Sequence, residues 1–388
     1  MTDVAIAQTE LKDSEAGHEL GSKIRNELSG PADALIVFAS PDNDLPRLLE
    51  SLAESSGTKT IVGCTSAGEF TSHGAGRGLT NVTAIRSADM RFTATVGTGL
   101  SGDYRDTAKA ITAGFTASTE SAFPFRCALV LVDALAGHAE ELVDALTVQT
   151  GGSYRFFGGG AGDDARFLKT HVFCGTRAYS GAAVALEILS RKPVGIGARH
   201  GWSPASAPLR VTDAEGSCVR SLNAMPAVEV LEEHAERTSQ QFNKEDPMPF
   251  FLHNVVGVQA GNGYKLRVPL GIADHGGIVC AAEIPSGATA HIMTTGETAA
   301  ADAATEAARD ALRQVTDAGG VPAAALFFDC VATRLRLGSG FQSELAALSS
   351  ELAGIPFAGF NSYGQVVRAE GQFSGFHNCT AVVCVLPA

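Results

Sequence analysis

Aromatic residues are scarce in this chain of 388 residues, at 7%, with a single Trp and five Tyr beside 20 Phe. A core of ordinary density must therefore be filled chiefly by Val, Leu, Ala and Phe. Charged residues make up only 18%, and the basic ones are outnumbered: 29 Lys and Arg stand against 42 Asp and Glu, for a net charge of −13. The longest basic cluster is Arg191-Lys192. Such a balance repels phosphate backbones and anionic lipid, so nucleic acid and membrane surfaces are not expected partners. No stretch approaches twenty consecutive apolar residues, which excludes a transmembrane helix. Met1 to Gly17 lacks the apolar centre of a signal or transit peptide. The expected location is the cytoplasm.

Catalytic and metal signatures are missing too. The eight cysteines form no C-x-x-C pair and have no His at finger-like spacing, so a structural zinc site is not expected. Several lie within apolar runs, Cys127 in RCALVLV and Cys384 in AVVCVL, where a thiol behaves as a small hydrophobe. Cys64 and Cys330 differ, since each follows a strand-like run and enters a polar turn. There is no P-loop, no G-x-S-x-G elbow and no H-E-x-x-H.

What the sequence does contain is glycine, 43 residues of it, and a weak repeat. Three stretches run in the same order: a nearly all-apolar strand (ALIVFAS, ALVLVDA, AALFFDC), an amphipathic helix, a second strand ending in a glycine-rich polar turn, then alternating strands. Strands apolar on both faces imply sheets covered by helices. The expected fold is α/β, two-lobed, with mixed β-sheets covered by helices and built from weakly repeated strand-helix-strand-strand units. Composition shifts near Gly216 to Pro226, where turn-rich short strands begin. That shift is the expected boundary between lobes. Strand edges left open by a split sheet would suit a homodimer.

The three turns are the candidate ligand site. Gly63, Cys64, Thr65, Ser66, Gly68 and Glu69 offer hydroxyls, a thiol and a carboxylate. Gly159, Gly160, Asp163 and Asp164 offer bare backbone and two acids, and Asn361, Ser362 and Tyr363 an amide, a hydroxyl and a phenol. Ligands of open α/β sheets bind beyond the strand ends, where such groups are free. The glycines equally serve to permit positive φ. Cys64, with His73 or His200 as base, or the Asp163-Asp164 pair, would make an enzyme instead, such as a hydrolase of small molecules. A third reading is an adaptor with no ligand. His200, between Arg199 and the lone Trp202, is the candidate axial ligand to a haem iron, with Arg199 and Trp202 beside the cofactor. His73, His253 and His377 stand behind it, whereas His18, His138 and His234 sit among acidic residues and read as solvated surface.

IVGCTSAGEF, RFFGGGAGDD, HGWSPASAPLRVTDAEG with LNAMPAVEVLEE, and PFAGFNSYGQV together resemble the FIST sensory proteins, in the right order, from about Asp33 to Val385. The resemblance implies an N-terminal helical extension over 1–30, a FIST-like domain over 31–220 and a second over 221–388. It implies a signal-transduction input module that binds a small molecule, amino acids being one proposed class, without an output domain of its own. Some stand-alone relatives bind haem, sense nitric oxide and act on a histidine kinase, so haem is the implied cofactor and a kinase or other signalling protein the implied partner. Gln365 stands where the family more often carries Glu.

Overall fold

The computed structural model describes residues 2–117, 122–369 and 373–388. Its backbone is mixed α/β and repeats one motif three times. The first unit runs strand Thr2–Thr9, helix Asp13–Glu27, strand Ala34–Ala39, helix Leu45–Ser56, strand Ile61–Thr65, a hairpin Glu69–Thr71 with Gly74–Gly76, and strand Thr80–Ser87. The second unit spans Met90 to Ser190 in the same order. The third runs from strand Gly195–Arg199 to strand Ala381–Pro387 and carries a large insert after its first strand. The repeat read from the sequence is present, and each unit opens one strand and one helix earlier than that reading. The first residues, expected as a helical extension, form an edge strand on the first sheet before their helix begins.

Local chemistry sets the elements. Asp44 caps the helix Leu45–Ser56 by accepting from the Arg47 N–H, and Gly57 ends it in the left-handed conformation. Leu48, Leu49 and Leu52 fall on its buried face. In strand Ala34–Ala39 the pleat sends Leu35 and Val37 to the helices and Ile36 and Phe38 to the opposite face.

Within each unit two parallel strands pair, as Ala34–Ala39 does with Ile61–Thr65. The units then exchange hairpins. The first unit's Glu69–Thr71 pairs with the third unit's Phe357–Ser362. The third unit's Gln365–Arg368 pairs with the second unit's Arg155–Gly160. The second unit's Val172–Cys174 pairs with the first unit's Ile61–Thr65. The exchange closes a ring of three sheets, and their inner faces share one core in which Phe38, Phe157, Phe328 and Phe360 meet.

The insert is a second body. Its strands, from Trp202–Pro204 to Thr289–Thr295, form a separate sheet, and helix Ala227–Arg237 packs on it around Val211, Leu231, Phe251 and Ile292. His234, expected on the surface, is 2% exposed there, because its helix turns that position toward Asn254 and the insert core. Asn378 of the ring pins the insert through backbone and side-chain bonds to Leu266 and Val268. Arg267 does the same from the other side, bonding the Phe376 carbonyl and Glu140. Among the described residues no helix is long and apolar enough to cross a membrane.

Candidate functional site

The three glycine-rich turns converge at the mouth of the ring and bond directly to one another. The Ala67 N–H donates to the Asn361 carbonyl at 2.9 Å, and the Asn361 N–H returns to Gly68 at 2.8 Å. Gly160 and Tyr363 tie the second turn to the third, and Gly162 ties it to Thr65 of the first. Gly68 sits at φ +129 with the Arg334 guanidinium where a Cβ would project, and Arg334 caps the Ala67 carbonyl. The turns therefore meet as a clasp, and much of their polar capacity is spent on holding the clasp closed.

Individual candidates take structural posts within it. Thr65 accepts the His171 N–H, and Ser66 donates to Glu69. Asp163 gathers the N–H groups of Phe167, Leu168 and Lys169 and the Tyr363 hydroxyl, which together hold its carboxyl below the usual range despite burial. Asp164, beside Arg166, has one oxygen with no partner. Ser362 donates to the Asp329 carbonyl, and the Asn361 amide to its carboxylate. Cys64 is fully enclosed in the shared core, where burial first and the Glu69 charge second push its thiol well up. That environment does not make a nucleophile.

Glu69 carries a pH signature. Burial, the largest cause, lifts its carboxyl from 4.5 to about 7 against the bonds from Ser66 and the Leu79 N–H. The folded state then holds a proton that the unfolded state releases, so this group makes stability fall as pH rises from about 4.5 to about 7, with no further change above. Glu69→Gln keeps the shape without the charge. Urea unfolding at pH 8 should find the variant more stable by about 3 kcal/mol, with little difference at pH 4.5. An unchanged pH profile would place the buried proton elsewhere.

Beside the clasp, where ring meets insert, lies an apolar cavity of about 30 Å³. Phe167, stacked on Tyr363 at 4.4 Å, forms one wall with Cys330, Val331, Ala332 and Leu335. Met248, Leu252, Val268, Leu270 and Ala281 of the insert form the other, with Asn378 at the edge. Behind Cys330 is a smaller polar cavity of about 10 Å³ bounded by Trp202, Asp329, Thr333, Arg336, Glu344 and Cys379. Asp329 and Glu344 are each 1% exposed, and burial raises both carboxyls, Glu344 to about 8. Arg336 lies over the Trp202 ring at 5.6 Å. Of these seam residues the sequence had pointed only to Cys330, Tyr363 and Trp202. An acid closing an apolar strand, as in FFDC, was the available sign for Asp329.

The haem trio does not stay together. Arg199 turns outward to Asp310 and Glu306 of helix Ala299–Thr316, and Trp202 turns inward to Arg336. The His200 ring accepts the Trp202 N–H at 3.3 Å, bonds the Tyr264 backbone and rests edge-on against Phe373. With its Nδ1 engaged by the Trp202 N–H and neither seam cavity reaching it, His200 does not fit an iron ligand. His377, 1% exposed behind Phe373, lines neither cavity.

A ring of repeated α/β units with a β-rich insert and a cavity between them defines a two-body α/β module. Residues 33–225 match the FIST N domain and residues 227–368 the FIST C domain, and the chain belongs to the FIST family, which is associated with small-ligand sensing in signal transduction. No curated protein matches the chain. Among solved structures, PurLQS from Thermotoga maritima is similar at 12% identity over 100% of this chain and 72% of that one, with a TM-score of 0.23. T. maritima PurL complexed with ADP gives 12%, 100%, 71% and 0.24. Likenesses this slight carry no argument about function.

Proposed function

We propose that this protein is a cytoplasmic sensor that takes a small, largely apolar ligand into the seam between ring and insert and reports to a separate signalling protein such as a histidine kinase. The observation that carries the reading is the composition of the cavity wall, drawn from both bodies, with Tyr363, Phe167 and Leu335 facing Met248, Leu270 and Ala281. A ligand larger than the closed cavity of about 30 Å³ binds only an arrangement in which ring and insert part, and that difference is what shifts a population. The aromatic pair and aliphatic wall suit an apolar body, and the Asn378 amide a single polar group. The Cys64 environment gives the hydrolase alternative no support.

A panel of free amino acids and small apolar acids, scored by thermal unfolding of the reduced protein, tests the reading. A ligand at a hundred times its Kd should add about 2.7 kcal/mol of stability by mass action. Ala281→Phe, which fills the cavity from the insert side, should abolish that gain while leaving the protein folded. Stabilisation that survives Ala281→Phe would move the ligand out of the seam. Capture of a kinase with no compound shifting stability would favour the adaptor.

A further inference from the structure

Two thiols meet between the seam's cavities. Cys330 ends strand Pro322–Cys330 and lines the apolar cavity, and Cys379 precedes strand Ala381–Pro387 and lines the polar one. They are 2% and 6% exposed and share one cluster with Trp202, Leu266 and Ala332. The Cys379 thiol, the backbone N–H groups of Cys379 and Ala332, and the Gln365 amide all face the Cys330 sulfur. Gln365 is itself held, donating to Ser362 Oγ at 2.8 Å and accepting from the Thr380 N–H at 3.2 Å.

Four donors on one enclosed sulfur favour its thiolate, and the Cys379 thiol is the first of them, so Cys330 is drawn down to about 6 against burial. Other enclosed thiols go the opposite way, with Cys127 and Cys280 pushed up to about 12. Asp329 and Glu344 face the same sulfur, burial raises both carboxyls, Glu344 to about 8, and Arg336 stands opposite them. Convergent donors beside a cavity distinguish a reactive thiol from a packing one.

We propose that Cys330 and Cys379 are an oxidisable dithiol, in which a hydroperoxide entering the seam is reduced and the two sulfurs become a disulfide. The Cys330 thiolate attacks one peroxide oxygen, the O–O bond breaks, and the departing hydroxide is protonated by solvent, leaving a sulfenic acid on Cys330. Cys379 then gives up its proton and attacks the Cys330 sulfur, expelling the oxygen as water. The pair loses two electrons, and the peroxide, taking them, becomes two waters. A cavity of about 30 Å³ has room for one or two water-sized molecules, enough for hydrogen peroxide. The inference requires that the seam admit peroxide and does not depend on any ligand binding there.

The full-length chain treated with hydrogen peroxide, then digested without reductant, should yield a peptide linking Cys330 to Cys379 that dithiothreitol releases. Cys379→Ser should instead leave a sulfenic acid on Cys330 that dimedone traps, and Cys330→Ser should give neither. Gln365→Glu, which removes an N–H donor and keeps the shape, should slow oxidation roughly tenfold. The wild-type rate should level off above a pH of about 6. Absence of the linked peptide from wild-type protein that remains folded by circular dichroism overturns the proposal. So does oxidation confined to the less buried Cys174 and Cys218. Ligand titrations on the reduced chain fail or succeed separately, so the two readings can fall independently.

Discussion

Gly158→Ala should leave little folded protein. Gly158 sits in the middle of strand Arg155–Gly160, paired on one side with Val130 and on the other with Val366, which belongs to the exchanged hairpin. Its φ of +142 lies where L side chains rarely go, and a Cβ there would overlap the Val130 carbonyl oxygen. Neither neighbour can yield, since both are strand backbone in the ring's interior. Backbone strain and overpacking together should cost roughly 4 kcal/mol or more. Against a total of about 5–15 kcal/mol, that moves much of the population to the unfolded side. The measurement is soluble yield with the urea midpoint. A variant within about 1 kcal/mol of the parent would mean that this strand pair is not built as described.

The second large effect is expected at Phe328. Its ring touches Phe38 of the first unit edge-on at 6.0 Å, Phe157 of the second at 6.0 Å and Phe360 of its own unit at 5.9 Å. No other aromatic contact described here joins all three units at one side chain. Phe328→Ala should cost about 3–5 kcal/mol, the transfer term plus the cavity left among rigid sheets. Phe328→Leu, which keeps most of the volume, should cost under about 1.5 kcal/mol. Urea unfolding with an unchanged m-value would assign both losses to stability rather than to a loosened native state. Equal costs for the two variants would mean that the site collapses around the deletion.

Much of the ring could be read from residue order. Runs such as ALIVFA and ALVLV are apolar at every position because both faces of each strand are covered, and that pattern is local. The opening strand Thr2–Thr9 was missed because it lies on a sheet edge and its apolar run, VAIA, is only four residues long. The hairpin exchange was illegible for another reason: nothing in Glu69–Thr71 names its partner, and register between distant strands depends on the assembled sheets. The convergence of the three turns was anticipated, but most of their polar groups bond within the clasp. The thiol pair depends on a long-range approach that spacing cannot disclose. His234 misled because its acidic neighbours occupy the outer face of a helix whose inner face carries the imidazole.

The hairpin exchange also bears on synthesis. As the chain leaves the ribosome, Glu69–Thr71 and Gly74–Gly76 are finished long before their partner Phe357–Ser362 is made. The first unit must wait for Val172–Cys174, and the second for Gln365–Arg368. Throughout that interval unsatisfied edges are on offer, and a neighbouring nascent chain on the same message carries matching hairpins. Crowded translation therefore favours swapped oligomers, and sparse initiation or an edge-shielding chaperone favours closure within one chain.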